Sequence, residues 1–281
     1  MQSNSMSRSK STGAMYRRLA TQVRVSALRM VHRAKSAHIG SSLSMADLLA
    51  VLYGRALRVD PARPDWAERD RFLLSKGHAS AGMYSVLAER GFFPKEWLDD
   101  FYLDGSHLGG HVTYGVPGVE ASTGSLGHGL SIGCGMALAG KRDKQSYRVF
   151  VLLSDGECDE GSTWEAALFA AHHGLDNLVA IVDYNKIQSF GTVKEVLDLD
   201  PLVGKWQAFG WAARQIDGHD FEQIESALLG VPFESGRPSC LVAHTVKGKG
   251  VSFMENRLAW HYSPPSDEQL RQALQELEAS E

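Results

Sequence analysis

The chain has 281 residues, 43% hydrophobic and 22% charged, with a formal net charge of −4. This is ordinary globular composition, long enough for a large three-layer domain, and its mild negative balance gives no reason to expect a nucleic acid or a membrane as partner. Three scattered cysteines without CxxC spacing (Cys134, Cys158, Cys240) read as reduced thiols of a cytoplasmic protein, and no segment approaches the ~20 apolar residues of a membrane span.

Residues 1–13 lack an apolar stretch and read as a disordered tail, not a secretory signal. The domain is expected over 14–281. Ala14 to Ala34 has helical periodicity with basic residues on its outer face. Ser44-x-x-Asp47 reads as a cap for a helix running through about Leu57. Asp60 to Arg69 is a charged, Pro-containing surface loop. Arg71 to Leu74 is the first strand, with Ser75-Lys76-Gly77-His78 directly at its carboxyl end. Ala79 to Arg90 is helical, and Pro94 to Asp104 is a short helix. Gly105 to Gly129 is a long glycine-rich loop, and a loop of that length inside a compact domain is usually functional. Leu130 to Gly140 is a helix whose Gly133, Cys134, Gly135 and Ala137 suit close packing on a sheet.

The central stretch is Arg148 to Gly191. Val149 to Leu153 and Leu178 to Asp183 are buried-strand patterns. Between them, Ser162-x-x-Glu165 reads as a capping box opening a helix through His172. This is one βαβ unit with parallel strands and a right-handed crossover. Asp155 and Asn185 then sit just past the carboxyl ends of adjacent strands, where open α/β sheets bind ligands. An Asp-Gly pair alone is an ordinary turn. Here, however, the carboxylate and the amide oxygen, with a carbonyl from the loop after Asn185, suit a hard cation such as Mg²⁺ that also takes substrate phosphates. Gly156 leaves room for a diphosphate.

Downstream, Thr192 to Trp206 is irregular. Trp211 to Ile216 and Ser239 to Thr245 are strands, Phe221 to Leu229 a helix, and Asp267 to Glu278 a surface helix. Strands alternating with helices predict a three-layer αβα fold around a doubly wound, mostly parallel sheet. His38, His78, His111 and His261 each lie just past an element end. Singly they are ordinary; on a parallel sheet their loops converge at one crevice.

The Asp-Gly…Asn spacing resembles the thiamine diphosphate signature. The wording DEGSTWEAALFAAHHGLDNLVAIVDYNKIQ is similar to the transketolase family, as are AHIGSSLSMADLL, RDRFLLSKGHAS, GSHLGGH, PGVEASTGSLGHGLSIGCGMALA and HTVKGKGVSFMENRLAWH. The resemblance implies that Asp155, Asn185 and the Ile187 carbonyl hold Mg²⁺ (or Ca²⁺). It places Gly156, Ser41, His78 and Lys247 toward the diphosphate, and Gly124, Ser125 and Leu126 against the thiazolium and pyrimidine rings. It sets His38 and His111 at the sugar, has His261 contact the cofactor and also reach the sugar, and makes Glu160 a buried acid near a dimer axis that helps couple two cofactors. Ser154, Ser125 and Ile39 depart from the usual glycine, proline and proline without removing a functional group.

The family's pyrimidine-binding half, with the glutamate that activates the cofactor and most of the arginines that read sugar phosphates, has no counterpart here. The resemblance therefore implies the N-terminal subunit of a split transketolase. It would transfer a two-carbon ketol unit between sugar phosphates with a C-terminal partner subunit, in an α₂β₂ assembly. Ketol transfer on a non-central sugar and a non-catalytic cofactor-binding scaffold remain as alternatives.

Overall fold

The computed structural model describes residues 2–279, with side chains from residue 11 onward. Helix α1 spans Gln2–Ala34. Of the expected tail over 1–13, the side chains of residues 1–10 lie outside the described residues, while Ser11 to Gly13 are helical.

Five strands form one parallel sheet: β1 (Arg71–Leu74), β2 (Val149–Ser154), β3 (Leu178–Tyr184), β4 (Ala212–Asp217) and β5 (Ser239–His244), in the order β1-β2-β3-β5-β4. The two central strands are buried along their whole length, as their unbroken apolar runs require. Alternate residues feed opposite layers. Phe150, Leu152, Val179 and Ile181 pack toward α1, α2 (Ile39–Ser44), α3 (Ala46–Val51) and α4 (Ser80–Glu89). Val149, Val151, Ala180 and Val182 pack toward α5 (Gly129–Arg142) and α6 (Gly161–His172) on the other side. Gly133 lets α5 close on the sheet: a Cβ there would sit 2.6 Å from Val151 Cγ2. The αβα expectation therefore holds.

The cap assignments do not. Ser44 ends α2 instead of capping the next helix, and its hydroxyl donates to Asp183 Oδ2 (2.6 Å). Helix α6 begins a residue early at Gly161, and Ser162 Oγ donates to the Gly127 carbonyl (3.0 Å). In both cases the serine lies inside a helix and not at its N-cap, and its hydroxyl is turned toward a buried tertiary acceptor. Pro94 to Asp104 contains only a 3₁₀ turn, Lys95–Asp100. The stretch expected to be irregular contains two helices, α7 (Val193–Val196) and α8 (Leu202–Ala208); a Thr192/Glu195 capping box starts the first. Asp220 caps α9 (Phe221–Leu229), accepting from Glu222 N and Gln223 N, and α10 (Asp267–Glu278) closes the fold. No helix among the described residues is long and apolar enough to cross a membrane.

The Asp47 carboxylate, freed from capping, ties α1 to the rest. Arg24 grips it with two hydrogen bonds (3.0 and 2.7 Å). His219 Nδ1 lies 2.7 Å from Oδ2, and His219 Nε2 accepts from Val246 N at 2.9 Å. The nitrogen facing the carboxylate therefore carries the proton. Burial would raise the Asp47 carboxyl, but Arg24 and His219 outweigh it and bring it from 3.8 down to about 2.

Two outcomes follow for stability. Arg24→Met leaves the buried carboxylate with the His219 hydrogen bond alone and should lower the free energy of unfolding, read from urea midpoints, by about 3 kcal/mol, the low end for breaking a buried ion pair. Because the folded pKa is depressed, the Asp47 contribution is present above about pH 4 and is lost as pH falls toward 2. In urea titrations over that window Asp47→Asn should remove about 2 kcal/mol of the wild-type acid dependence.

Candidate active site

Four strand ends deliver the site. Ser75-Lys76-Gly77-His78 follows β1, Asp155-Gly156 follows β2, Asn185 to Ile187 follows β3, and Thr245 to Lys247 follows β5. They surround a cavity of about 400 Å³. Of the residues expected there, His38, Ser41, His78, His111, Gly124, Leu126 and Glu160 line it, as do Asp155, Gly156, Asn185, Ile187, Lys247 and His261. Ser125 does not; it is exposed between the two neighbours that do.

Beneath the cavity lies a buried ion pair. Lys76 and Asp183 are fully enclosed, and the Lys76 ammonium donates to Asp183 Oδ2 and to the Ser41 carbonyl (3.1 Å). Asp183 also accepts from Ser44 and from Thr245. One carboxylate thus joins α2, the β1 end, β3 and the β5 end. Burial raises the Asp183 carboxyl, but Lys76 and the two hydroxyls bring it below its ordinary value.

On one wall Asp155 is 2% exposed. Its Oδ1 accepts from Gly156 N (2.8 Å) and its Oδ2 from Lys186 N (2.6 Å), which fixes the carboxylate between two loops. Burial first, then the nearby Asp183 charge, pushes its pKa up to about 7. A carboxylate held so unfavourably without a cation hydrogen-bonded to it suits a metal. Asn185 Oδ1 sits on the same loop and accepts from Ile187 N at 3.2 Å. The Ile187 carbonyl accepts from the Lys247 ammonium (2.8 Å), so a positive charge already stands at that oxygen. This carboxylate, amide and carbonyl fit a hard divalent cation. Lys247 is itself buried, and burial lowers its pKa to about 8, leaving it charged near neutral pH.

The adjoining wall is imidazole. Ring centroids of His38 lie 5.0 Å from His78, 5.0 Å from His261 and 6.2 Å from His111. Burial, then neighbouring charges, lowers His38 to about 4 and His261 to about 3, and holds His78 well below its usual range. These three rings are neutral at physiological pH. His261 Nδ1 lies 3.0 Å from the Lys247 ammonium, which can only donate, so the His261 proton sits on Nε2. Gly124 packs directly on His111: a Cβ there would fall 2.7 Å from Cδ2.

Sequence reasoning missed several participants. Lys76 and Asp183 lie inside the family-like motifs, and a charged residue ending an apolar strand run was the available signal for Asp183. Glu157, fully buried, accepts from Ser75 Oγ, Gly127 N (3.0 Å) and Ser154 N (3.1 Å), pinning the glycine-rich loop to the β2 end. Ser154, which stands where the family usually has glycine, ends its strand in register with Asp183. Asp159, Gln188, Ser189, Phe190 and Val196 also line the cavity.

A family model described as transketolase, thiamine diphosphate binding domain, matches residues 15–280. One apulose-4-phosphate transketolase subunit, from Phocaeicola vulgatus, is 44% identical over 250 residues, covering 89% of this chain and 89% of that protein. The 6-deoxy-6-sulfo-D-fructose transketolase subunit SqwG of a Clostridium species is 42% identical over 260 residues, 92% of this chain and 94% of that one. The solved transketolase of Campylobacter jejuni superposes with a TM-score of 0.90 at 32% identity, over 94% of this chain and 43% of its own length. The chain thus spans less than half of that solved enzyme but nearly all of the two subunits. It belongs to the transketolase family, as a thiamine diphosphate-binding domain.

Proposed function

We propose that the chain is the diphosphate-binding subunit of a two-component transketolase. With a separate pyrimidine-binding subunit it transfers a two-carbon ketol unit from a ketose phosphate to an aldose phosphate. The observation that carries this reading is the cavity: a cation-ready wall of Asp155, Asn185 and Ile187 adjoins a cluster of neutral histidines. The near full-length match to two proteins named as transketolase subunits supports the division of labour.

Asp155, Asn185 and the Ile187 carbonyl hold Mg²⁺ or Ca²⁺. Lys247, Ser41, His78 and Gly156 face the diphosphate, Lys247 as a point cation. Gly124 and Leu126 lie toward the rings, with Ser125 exposed between them. The bound cofactor supplies the electron sink that ketol transfer needs. His38, His111 and His261 orient the sugar and exchange protons with its hydroxyls, a task suited to imidazole.

The partner covers the cavity mouth. Phe190, 85% exposed on the cavity rim, and Tyr262, whose hydroxyl bonds the Ser189 carbonyl, form an apolar edge for it. Leu168 and Phe169 on the outer face of α6 give an apolar surface through which two copies pair, with Glu160 at the head of that helix, making α₂β₂. Three buried free thiols suit a reducing compartment such as the cytoplasm. A second reading, transfer on a sugar outside the common ketose phosphates, is favoured by the relatives' names, which specify apulose 4-phosphate and 6-deoxy-6-sulfo-D-fructose.

Calorimetry of the assembled enzyme tests the metal wall: Asp155→Ala should abolish Mg²⁺-dependent thiamine diphosphate binding while the circular dichroism spectrum is kept. Unchanged affinity would refute the assignment. His38→Ala and His111→Ala should lower kcat/KM for the donor ketose, with the cofactor Kd held within a few-fold, because a transition-state contact is lost and not a ground-state one. The purified chain alone should show no ketol transfer, and adding the partner subunit should restore it. Turnover by this polypeptide alone at about 1–10³ s⁻¹ would refute the two-component reading.

A further inference from the structure

Two polar atoms on the cavity wall are left without partners. Gln188 follows Ile187 directly, on a loop with little freedom. Gln188 N donates to the Gly191 carbonyl (2.8 Å), Ile187 and Thr192 pair as an antiparallel bridge, and Val193 N donates to the Lys186 carbonyl (2.9 Å). The side chain is therefore delivered to one place, against Gly156: a Cβ on that glycine would meet Gln188 Cγ and Cδ at 3.5 Å. Its Nε2 is buried and makes no hydrogen bond, and neither does the buried Oδ1 of Asp159. Asp159 and the amide face each other without a well-formed bond: burial raises the Asp159 carboxyl, and hydrogen bonding from the Gln188 side chain opposes the rise. A buried donor left unpaired is costly, and native proteins rarely keep one without a use.

We propose that Gln188 is a cofactor-binding residue that donates its amide N–H to the diphosphate beside Gly156, with Asp159 as the positioning residue that orients the amide. This rests on the thiamine diphosphate reading of the site. A diphosphate presents only acceptors and several negative charges. Among the described residues Lys247 is the one lysine that lines the cavity, and its ammonium is already shared with Ile187 O and His261 Nδ1. Neutral donors must satisfy the remaining oxygens, and a glutamine amide next to the glycine approached by the diphosphate is such a donor. The Asp159 carboxylate accepts but cannot donate, so it cannot serve the diphosphate itself. It can take the second amide proton, which turns the nitrogen of Gln188, and not its oxygen, toward the ligand.

The test uses the chain assembled with its partner subunit, in Mg²⁺, titrated calorimetrically with thiamine diphosphate and separately with inorganic pyrophosphate. Gln188→Met keeps the length of the side chain and removes both donors. It should weaken both ligands by about tenfold, the loss expected for one hydrogen bond to a charged group. Gln188→Glu, nearly isosteric, should weaken both more strongly because it sets a carboxylate against the diphosphate. Asp159→Asn should shift both affinities in the same direction by less. Weakened thiamine diphosphate with unchanged pyrophosphate would place the contact on the rings and overturn the proposal. Unchanged affinities with a lowered Tm would show that the amide serves only Asp159, and would overturn it too. If the unaltered complex bound neither ligand, the cofactor reading would fall and this proposal with it.

Discussion

The Lys76–Asp183 pair is the interaction on which the site depends. Four chain segments far apart in sequence meet at one fully buried carboxylate, and each carries a cavity residue within a few positions of its contact. Buried ion pairs are poor sources of stability, since desolvation of two charges cancels most of their attraction. Their return is geometric. Removing either partner would leave a charge uncompensated, so the four segments are held to a single arrangement. The cost appears next door, where the fixed Asp183 charge helps raise the Asp155 carboxyl. The site thus stores an electrostatic imbalance that a cation would relieve.

Most of the sheet was legible because parallel strands buried on both faces must be apolar along their length, and Val149 to Leu153 and Leu178 to Asp183 could be little else. The site was legible for a related reason. In a parallel sheet every strand end points the same way, so polar residues just past those ends converge whatever the helices do.

What escaped was side-chain hydrogen bonding over long sequence separations. Ser44 and Ser162 carry good cap patterns, yet their hydroxyls are taken by Asp183 and by Gly127. Local propensity cannot see an acceptor 139 residues away that turns the hydroxyl off the helix end. The same blindness hid Lys76, Glu157 and Gln188, whose roles exist only once separate loops are side by side. The short helices at Val193–Val196 and Leu202–Ala208 were missed because neither is long enough to show a period.

Two residues of the site hold backbone conformations that side chains disfavour. His38 has φ 70 and donates its N–H to the His261 carbonyl (2.9 Å), and Lys186 has φ 70 and turns its N–H onto Asp155. A non-glycine residue in the left-handed region costs about 1–2 kcal/mol, and both are locked there by hydrogen bonds that do not involve a ligand. The strain is therefore settled when the chain folds. An incoming cofactor meets a mould already set, with little loop ordering left to oppose it. These two turns would then need no reordering when a cofactor enters beside them, and the entropy cost of binding would fall on other parts of the assembly.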